Sequence, residues 1–125
     1  MLGPSDSDVA GEQAMPKLDL LKGTLPLLVL SVLREEELYG YEIAQRIRDR
    51  SGDLFAPSEG SLYPTLHRLE RDGALAATWR ASERGPRRRY YAITPAGQTL
   101  FADASREWDA VSTGVSRMAR AANHG

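Results

Sequence analysis

Apolar side chains recur at spacings of three and four residues in four stretches of the chain, a pattern that predicts four helices. The first stretch covers residues 18–33 and contains Pro26. Because proline is tolerated in the first turn of a helix, we predict that the regular helix begins near Thr24. We expect it to end at the acidic run of residues 35–37.

The second stretch is short and amphipathic. It predicts a helix from Tyr39 or Gly40 to about Arg50, with isoleucines at positions 43 and 47 facing inward. A serine and a glycine follow directly, and glycine suits the left-handed position after a helix.

The third stretch predicts a helix from a cap at Ser58 to Asp72, with inward leucines at positions 62, 66 and 69. Pro64 leaves the start of this helix open. A cap at Ser61 would place the proline harmlessly in the first turn, whereas a cap at Ser58 places it further inside.

After the third helix the period changes from helical to extended. Residues 74–80 and 88–93 predict two strands joined by a turn at residues 83–86. Alternation along the second strand assigns Tyr91 to the core, and Tyr90 to the opposite face. The segment is therefore predicted to be a β-hairpin with arginines near its tip.

The fourth stretch opens with Thr94 and Pro95, a helix cap and a first-turn proline, and predicts a helix over residues 95–125. Its apolar stripe is too long for one small domain to cover, so we expect a second copy of the chain to pack against it. The candidate dimerisation residues are Leu100, Ala104, Trp108, Val111, Val115 and Met118.

Composition and charge narrow the possible functions. The 125-residue chain has no cysteine, which excludes disulfides and cysteine-ligated zinc and fits the cytoplasm, where we expect the protein. Its longest apolar run, residues 25–33, is shorter than the ~20 residues that a membrane helix needs. Although the net charge is −1, residues 1–16 carry only acids, whereas residues 80–89 carry five arginines and one glutamate. This segregation favours phosphates as partners of the hairpin.

Three helices followed by a basic hairpin are the order of a winged helix-turn-helix, whose third helix enters the major groove of DNA. The segments Tyr39–Ile43, Gly60–Pro64, Arg88–Tyr91 and Ile93–Gly97 together resemble the PadR family of transcriptional regulators, especially its members with a single C-terminal helix. The resemblance implies a dimeric repressor that releases DNA when a small molecule or another signal is sensed.

The expected fold is accordingly mainly α with a small β-hairpin. We divide the chain into an acidic tail that we expect to be disordered (1–16), a winged helix-turn-helix DNA-binding domain (17–94) and a C-terminal dimerisation helix (95–125). The expected partners are duplex DNA and a second copy of the chain, without a membrane, and the site on DNA is expected to be an inverted repeat.

The side of the third helix opposite its leucines is the candidate reading surface. Arg68 and His67 can donate hydrogen bonds to base edges, and Tyr63 can donate to a phosphate. Two alternatives stay open: Tyr63 could belong to the core, and His67 could simply be solvated. With Tyr39 added at the start of the second helix, the candidate DNA-binding residues here are Tyr39, Gly60, Ser61, Tyr63, Pro64, His67, Arg68 and Arg71.

In the hairpin, Arg84, Arg87 and Arg88 are expected to reach sugar and phosphate, which positions a protein on DNA without specifying sequence. Arg89 shares the core-facing side of its strand with Tyr91, so we rank it below the other arginines.

Trp108 is the candidate effector site. Its small neighbours on the stripe leave room for a planar hydrophobic effector between two copies, although an aromatic residue at helical spacing more often simply fills the interface. We expect no cofactor, no metal site and no catalysis, because the chain has two histidines and no phosphate-binding glycine loop. The alternative function is a winged helix used only for protein association or chromosome architecture.

Overall fold

Four helices and three strands make up residues 20–124, the part of the chain that the computed structural model describes, with side chains described from residue 23. The acidic tail predicted for residues 1–16 lies outside this part. The mainly helical fold with a small sheet is confirmed. The elements are α1 (Leu20–Leu33), β1 (Leu38–Tyr39), α2 (Gly40–Arg50), α3 (Glu59–Arg71), β2 (Leu75–Ser82), β3 (Gly85–Ile93) and α4 (Pro95–His124).

Helix α1 begins earlier than predicted. It starts at Leu20 rather than near Thr24, so Pro26 lies inside the helix. A proline inside a helix lacks an amide donor and costs about 3 kcal/mol. Burial offsets this cost, because Leu25 and Val29 beside the proline are almost fully buried, and each contributes about 1.5–3 kcal/mol. Tertiary packing therefore overrides the local preference on which the prediction rested.

Helices α2 and α3 lie where the sequence predicted them. The cap of α3 is Ser58, whose Oγ accepts a hydrogen bond from the backbone N–H of Ser61 at 3.3 Å. This bond excludes Ser61 as the cap and places Pro64 inside the helix. Helix α3 ends one residue before Asp72, and Gly73 follows it with a positive φ of 85°.

The short strand β1 was not predicted. Leu38 and Tyr39 pair antiparallel with Tyr91 and Tyr90 of β3, which gives a three-stranded sheet in the order β1-β3-β2. Two residues are too few to show a period, so no sequence pattern could identify the strand. Its pairing attaches the start of α2 to the hairpin.

The hairpin of β2 and β3 is longer than predicted. Pairing continues to Ser82 and Gly85, so the turn consists of residues 83 and 84 rather than 83–86. The register shifts near the tip, where Pro86 and Arg87 of β3 lie opposite a single residue of β2. Proline is accommodated at such a bulge, because the ladder needs no amide donor there. Because proline in a sequence pattern usually indicates a turn, the second strand was predicted to begin too late, at Arg88 rather than Gly85.

The core lies where α1, α2 and α3 meet the base of the hairpin. Tyr91 contributes its ring to this core and is 1% exposed, as strand alternation predicted. Its apolar members are Leu25, Val29, Leu30, Val32, Leu33, Leu38, Ile43, Ile47, Leu62, Leu66, Leu69, Ala74, Leu75 and Tyr91.

Helix α4 begins at Pro95, as predicted, and is capped by Thr94. The Thr94 hydroxyl accepts a hydrogen bond from the backbone N–H of Gly97 at 3.0 Å and donates one to the backbone oxygen of Gly73 at 2.6 Å. Gly97 is buried against Ala74 and Ile93, and a Cβ added to it would lie 2.7 Å from Ile93 Cγ1. The absence of a side chain at Gly97 lets α4 approach the hairpin this closely.

We expect Gly97→Ala to lower the free energy of unfolding by about 1–3 kcal/mol, because the added methyl group overlaps fixed backbone atoms of Ala74. Gly23→Ala in α1 is the matched control. Nothing lies within 4 Å of its Cβ position, so helix propensity alone should make this change neutral or stabilising by up to about 1 kcal/mol. Urea unfolding followed by circular dichroism measures both. Equal effects would contradict the packing assigned to Gly97.

Candidate nucleic-acid interface

The outer side of α3 is exposed along its whole length. Its buried side consists of Leu62, Leu66 and Leu69, which anchor the helix on the core, together with Thr65. The candidate residues on the outer side are exposed, except Ser61, which is half-buried. Arg68 and Arg71 form no ion pair within residues 20–124, so their guanidinium groups are available to acceptors outside the chain. Gly60 and Pro64 offer no side-chain donor and instead permit close approach of a ligand.

Tyr63 has features of both interpretations that the sequence left open, a core residue and a DNA-contacting residue. Its ring packs against Gly40 at the N-terminus of α2, where an added Cβ would lie 2.8 Å from Tyr63 Cζ. The side chain is nevertheless 36% exposed, and its ring centre lies 6.4 Å from that of His67. Tyr63 therefore joins α3 to α2 and still presents a surface beside the exposed His67.

The arginines of the hairpin fall into two groups. Arg84 in the turn and Arg87 at the bulge are exposed, and neither has a carboxylate partner among the described residues. Arg89 is held, because it forms an ion pair with Glu70 at the end of α3. This pair agrees with the lower rank that the sequence assigned to Arg89.

Arg88 is less free than the sequence suggested. Its guanidinium carbon lies 4.5 Å from the centre of the Tyr39 ring, in a cation–π contact. Such a contact is worth about 0.5–1 kcal/mol at an exposed site, and it leaves the charge in solvent. That Arg88 reaches sugar or phosphate stays a prediction, and β1 places the Tyr39 ring beside its guanidinium group. The ring of Tyr39, the residue that precedes α2, is therefore in contact with Arg88.

Sequence reasoning missed the rest of this aromatic and cationic stack on the outer face of the sheet. Tyr90 packs edge-on against Tyr39 with ring centres 5.4 Å apart. The guanidinium carbon of Arg80 lies 4.6 Å from the Tyr90 ring centre, and Arg80 forms an ion pair with Glu37. Arg80 and Arg88 are paired across the two strands, so a correct hairpin register was the signal that could have placed them together.

The acidic run of residues 35–37 pairs with three arginines. Glu35 lies 3.8 Å from Arg50, Glu36 lies 3.3 Å from Arg46, and Glu37 pairs with Arg80 of the hairpin. These carboxylates neutralise arginines away from the outer side of α3. Arg68 and Arg71 on α3 and Arg84 and Arg87 on the hairpin are among the described arginines that have no carboxylate partner.

Tyr91 connects the core to this surface electrostatically. Burial raises the pKa of the Tyr91 hydroxyl above its ordinary value, with smaller contributions in the same direction from Glu70 and Tyr63 and an opposing one from Arg89. The hydroxyl therefore stays neutral at physiological pH. It lies near charged and polar groups of both α3 and the hairpin.

Neither a cluster of metal ligands nor a membrane-spanning helix occurs within residues 20–124. No cluster of three or more histidine, aspartate or glutamate side chains could hold a metal ion there. No helix in this part of the chain is both long and apolar enough to cross a membrane.

Comparison with known proteins gives a consistent result. Residues 29–103 match the transcriptional regulator PadR-like family. The chain is 36% identical over 85 residues to a transcriptional regulator of Mycobacterium tuberculosis, covering 68% of this chain and 76% of that protein.

Solved structures agree with these sequence matches. The fold is similar to that of a transcriptional regulator from Clostridium thermocellum, with a TM-score of 0.74 and 31% identity over 80% of this chain and 97% of the other. It is also similar to a PadR-like transcriptional regulator from Bacillus cereus, with a TM-score of 0.67 and 35% identity over 81% of this chain and 96% of the other.

We expect Arg87→Ala to weaken binding to all DNA duplexes about equally, because an unpaired arginine at the hairpin tip neutralises phosphate rather than reading bases. Loss of one phosphate contact should reduce the slope of log affinity against log salt by about 0.9. Arg88→Ala should act in the same direction. Fluorescence anisotropy at several salt concentrations measures both.

Arg106→Ala is the matched control for these variants, since Arg106 is an exposed arginine of α4 that already pairs with Asp103. It should leave the slope unchanged. An unchanged slope in Arg87→Ala and Arg88→Ala as well would remove the hairpin tip from the interface.

Proposed function

We propose, from the membership of this chain in the PadR-like family of transcriptional regulators, that it is a repressor that binds an inverted-repeat operator as a homodimer and releases it in response to a small effector. The observation that carries the DNA-binding part is the exposed outer side of α3 beside hairpin arginines that lack carboxylate partners. Duplex DNA supplies the base edges and phosphates that these two groups of donors require.

In the proposed complex, α3 enters the major groove and the hairpin lies along the backbone. Arg68 and Arg71 donate to acceptors on base edges, for which guanine is the commonest partner of arginine. His67 and Tyr63 extend the same surface toward the start of α2. Arg84 and Arg87 neutralise phosphates, which sets the register of α3 without specifying sequence.

The homodimer rests on the exposed stripe of α4. Leu100, Trp108 and Val111 are each more than one third exposed, and exposure rises to 62% at Val115 and 75% at Met118. Toward its end the stripe forms a shallow apolar groove that includes Ala110 and Gly114. A second α4 related by two-fold symmetry would cover this groove with the same side chains. Two symmetric copies of α3 would then meet half-sites about 10 base pairs apart, or a multiple of that.

The effector response rests on Trp108. Its indole, 42% exposed, lines a groove of about 230 Å³ between α1 and α4 that also includes Gly23, Pro26 and Leu27. A planar hydrophobic molecule fits the chemistry of this lining. Such a ligand can shift DNA binding only by its difference in affinity between the dimer states, so a test must follow Trp108 fluorescence and DNA release together. Quenching without DNA release would indicate an incidental pocket, whereas no quenching by any member of a broad panel of planar aromatic compounds would leave Trp108 as a residue that fills the interface.

The alternative, a winged helix for protein association or chromosome architecture, differs in one measurable respect. A regulator prefers particular fragments of its own genome, whereas a module for protein association does not bind DNA, and an architectural protein binds it without preference. Titration of the protein against labelled genomic fragments and a random duplex at two salt concentrations separates these cases. We expect one or a few fragments to bind at least about 10³-fold more tightly than the random duplex. Equal affinities would contradict gene-specific regulation.

We expect Val115→Glu to convert the dimer into monomers, because dimerisation would bury a carboxylate without a partner. Ser116→Glu, one residue along on the polar side of α4, adds the same charge and is expected to leave the dimer intact. Sedimentation equilibrium at micromolar concentration measures both. A monomeric unsubstituted protein at that concentration would contradict the dimer itself.

A further inference from the structure

Trp79 is an exposed indole in the middle of β2. It is 55% exposed and is the only large apolar side chain of the hairpin that is exposed among the described residues. Trp79 does not belong to the buried core, to which the hairpin contributes Leu75 and Tyr91. Tryptophan is enriched at interfaces, where its apolar ring packs against a partner and its N–H finds an acceptor.

Trp79 is held in a defined position. It lies opposite Arg89 in the register of β2 and β3, and the guanidinium carbon of Arg89 lies 5.6 Å from its ring centre. Arg89 is in turn paired with Glu70 of α3, and its Nε is buried. The series Glu70, Arg89 and Trp79 therefore connects the last turn of α3 to the indole. It places the ring on the side of the hairpin that faces α3.

The surroundings of Trp79 identify the chemistry of its partner. Residues 80–89 on the same hairpin hold five arginines and one glutamate, and Arg84 and Arg87 have no carboxylate partner within residues 20–124. A second copy of this hairpin would bring like charges together, and an uncharged effector would make no use of them. A polyanion with apolar surfaces between its charges satisfies both the arginines and the indole. The sugar–phosphate backbone of DNA has this alternation.

We propose that Trp79 is a DNA-contacting residue whose indole packs against the deoxyribose groups of the strand bound between α3 and the hairpin. The inference rests on the proposed function and adds an apolar contact to it. The indole N–H can only donate a hydrogen bond, so in the proposed complex its acceptor is a phosphate oxygen. Glu70 and Arg89 act as positioning residues, because they hold the ring at a set distance from α3.

The chain offers a direct test, since it contains only two tryptophans. Trp108→Phe leaves Trp79 as the sole indole emitter. We expect its fluorescence to be quenched and shifted on addition of duplex DNA, with the same midpoint as the anisotropy of the labelled duplex. Trp79→Phe, which leaves Trp108 as the emitter, is the matched control and is expected to show no parallel quenching.

Affinity provides the second measurement. Trp79→Ala should weaken DNA binding at least about fivefold, the effect expected when an aromatic in an interface is truncated. The slope against salt should stay unchanged, because an apolar contact releases no counterions. A reduced slope would instead show that the substitution acts through displaced arginines, and would overturn the proposal.

The remaining outcomes separate the two proposals. Unchanged Trp79 fluorescence and unchanged affinity of Trp79→Ala, with a duplex that still binds, would overturn the contact and leave the regulator intact. Failure of the unsubstituted protein to bind any duplex would overturn the proposed function itself. Thermal unfolding of Trp79→Ala serves as the check on folding, and a midpoint close to that of the unsubstituted protein is expected for an exposed side chain.

Discussion

The burial of one side of α3 is the constraint on which the rest of the molecule depends. Leu62, Leu66 and Leu69 insert into the core between α1, α2 and the base of the hairpin, which fixes the rotation of the helix about its axis. Every polar group on the opposite side is therefore presented outward without needing its own support. A rotation of one residue would cost several buried leucines, each worth about 1.5–3 kcal/mol. The reading surface is thus rigid because its back is apolar.

The position of the hairpin is the second constraint. The hairpin is joined to the start of α2 by β1, and it is joined to the end of α3 by the ion pair between Glu70 and Arg89. Exposed ion pairs alone are worth little, and this one is only partly buried. This pair matters for geometry rather than for stability, because it fixes the positions of the Arg89 guanidinium group and of the Trp79 ring that contacts it. The ring of Tyr91, which lies beside this pair, is almost fully buried in the core.

The location of unpaired arginines depends on which carboxylates and arginines pair in the fold, and not on the net charge of the chain. A chain with a net charge of −1 still offers unpaired arginines on α3 and at the hairpin tip. The run at residues 35–37 pairs with two arginines of α2 and one of β2, whereas the arginines at positions 68, 71, 84 and 87 have no carboxylate partner among the described residues. Phosphates compete only with water for these free groups. The electrostatic attraction to DNA is therefore local, and it is strongly screened at high salt.

The sequence predicted the order of the four helices and the hairpin, the inward leucines of α3, the core position of Tyr91 and the cap at Thr94. Each depends on a short-range rule: a helical or strand period, a hydroxyl before a helix, or a proline in its first turn. The candidate residues of α3 followed in the same way, because they are the positions that the leucine stripe leaves outside.

Only the tertiary structure decided the rest. Pro26 lies inside α1 because neighbouring residues are buried, and β1 exists because β3 lies beside it. Arg87 is free, Arg88 lies on Tyr39 and Arg89 pairs with Glu70. A run of three consecutive arginines in the sequence does not reveal these differences. The period of a strand assigns each of them a face, but their partners come from elements distant in sequence. Local rules act between residues a few positions apart, whereas these contacts depend on which elements the core brings together.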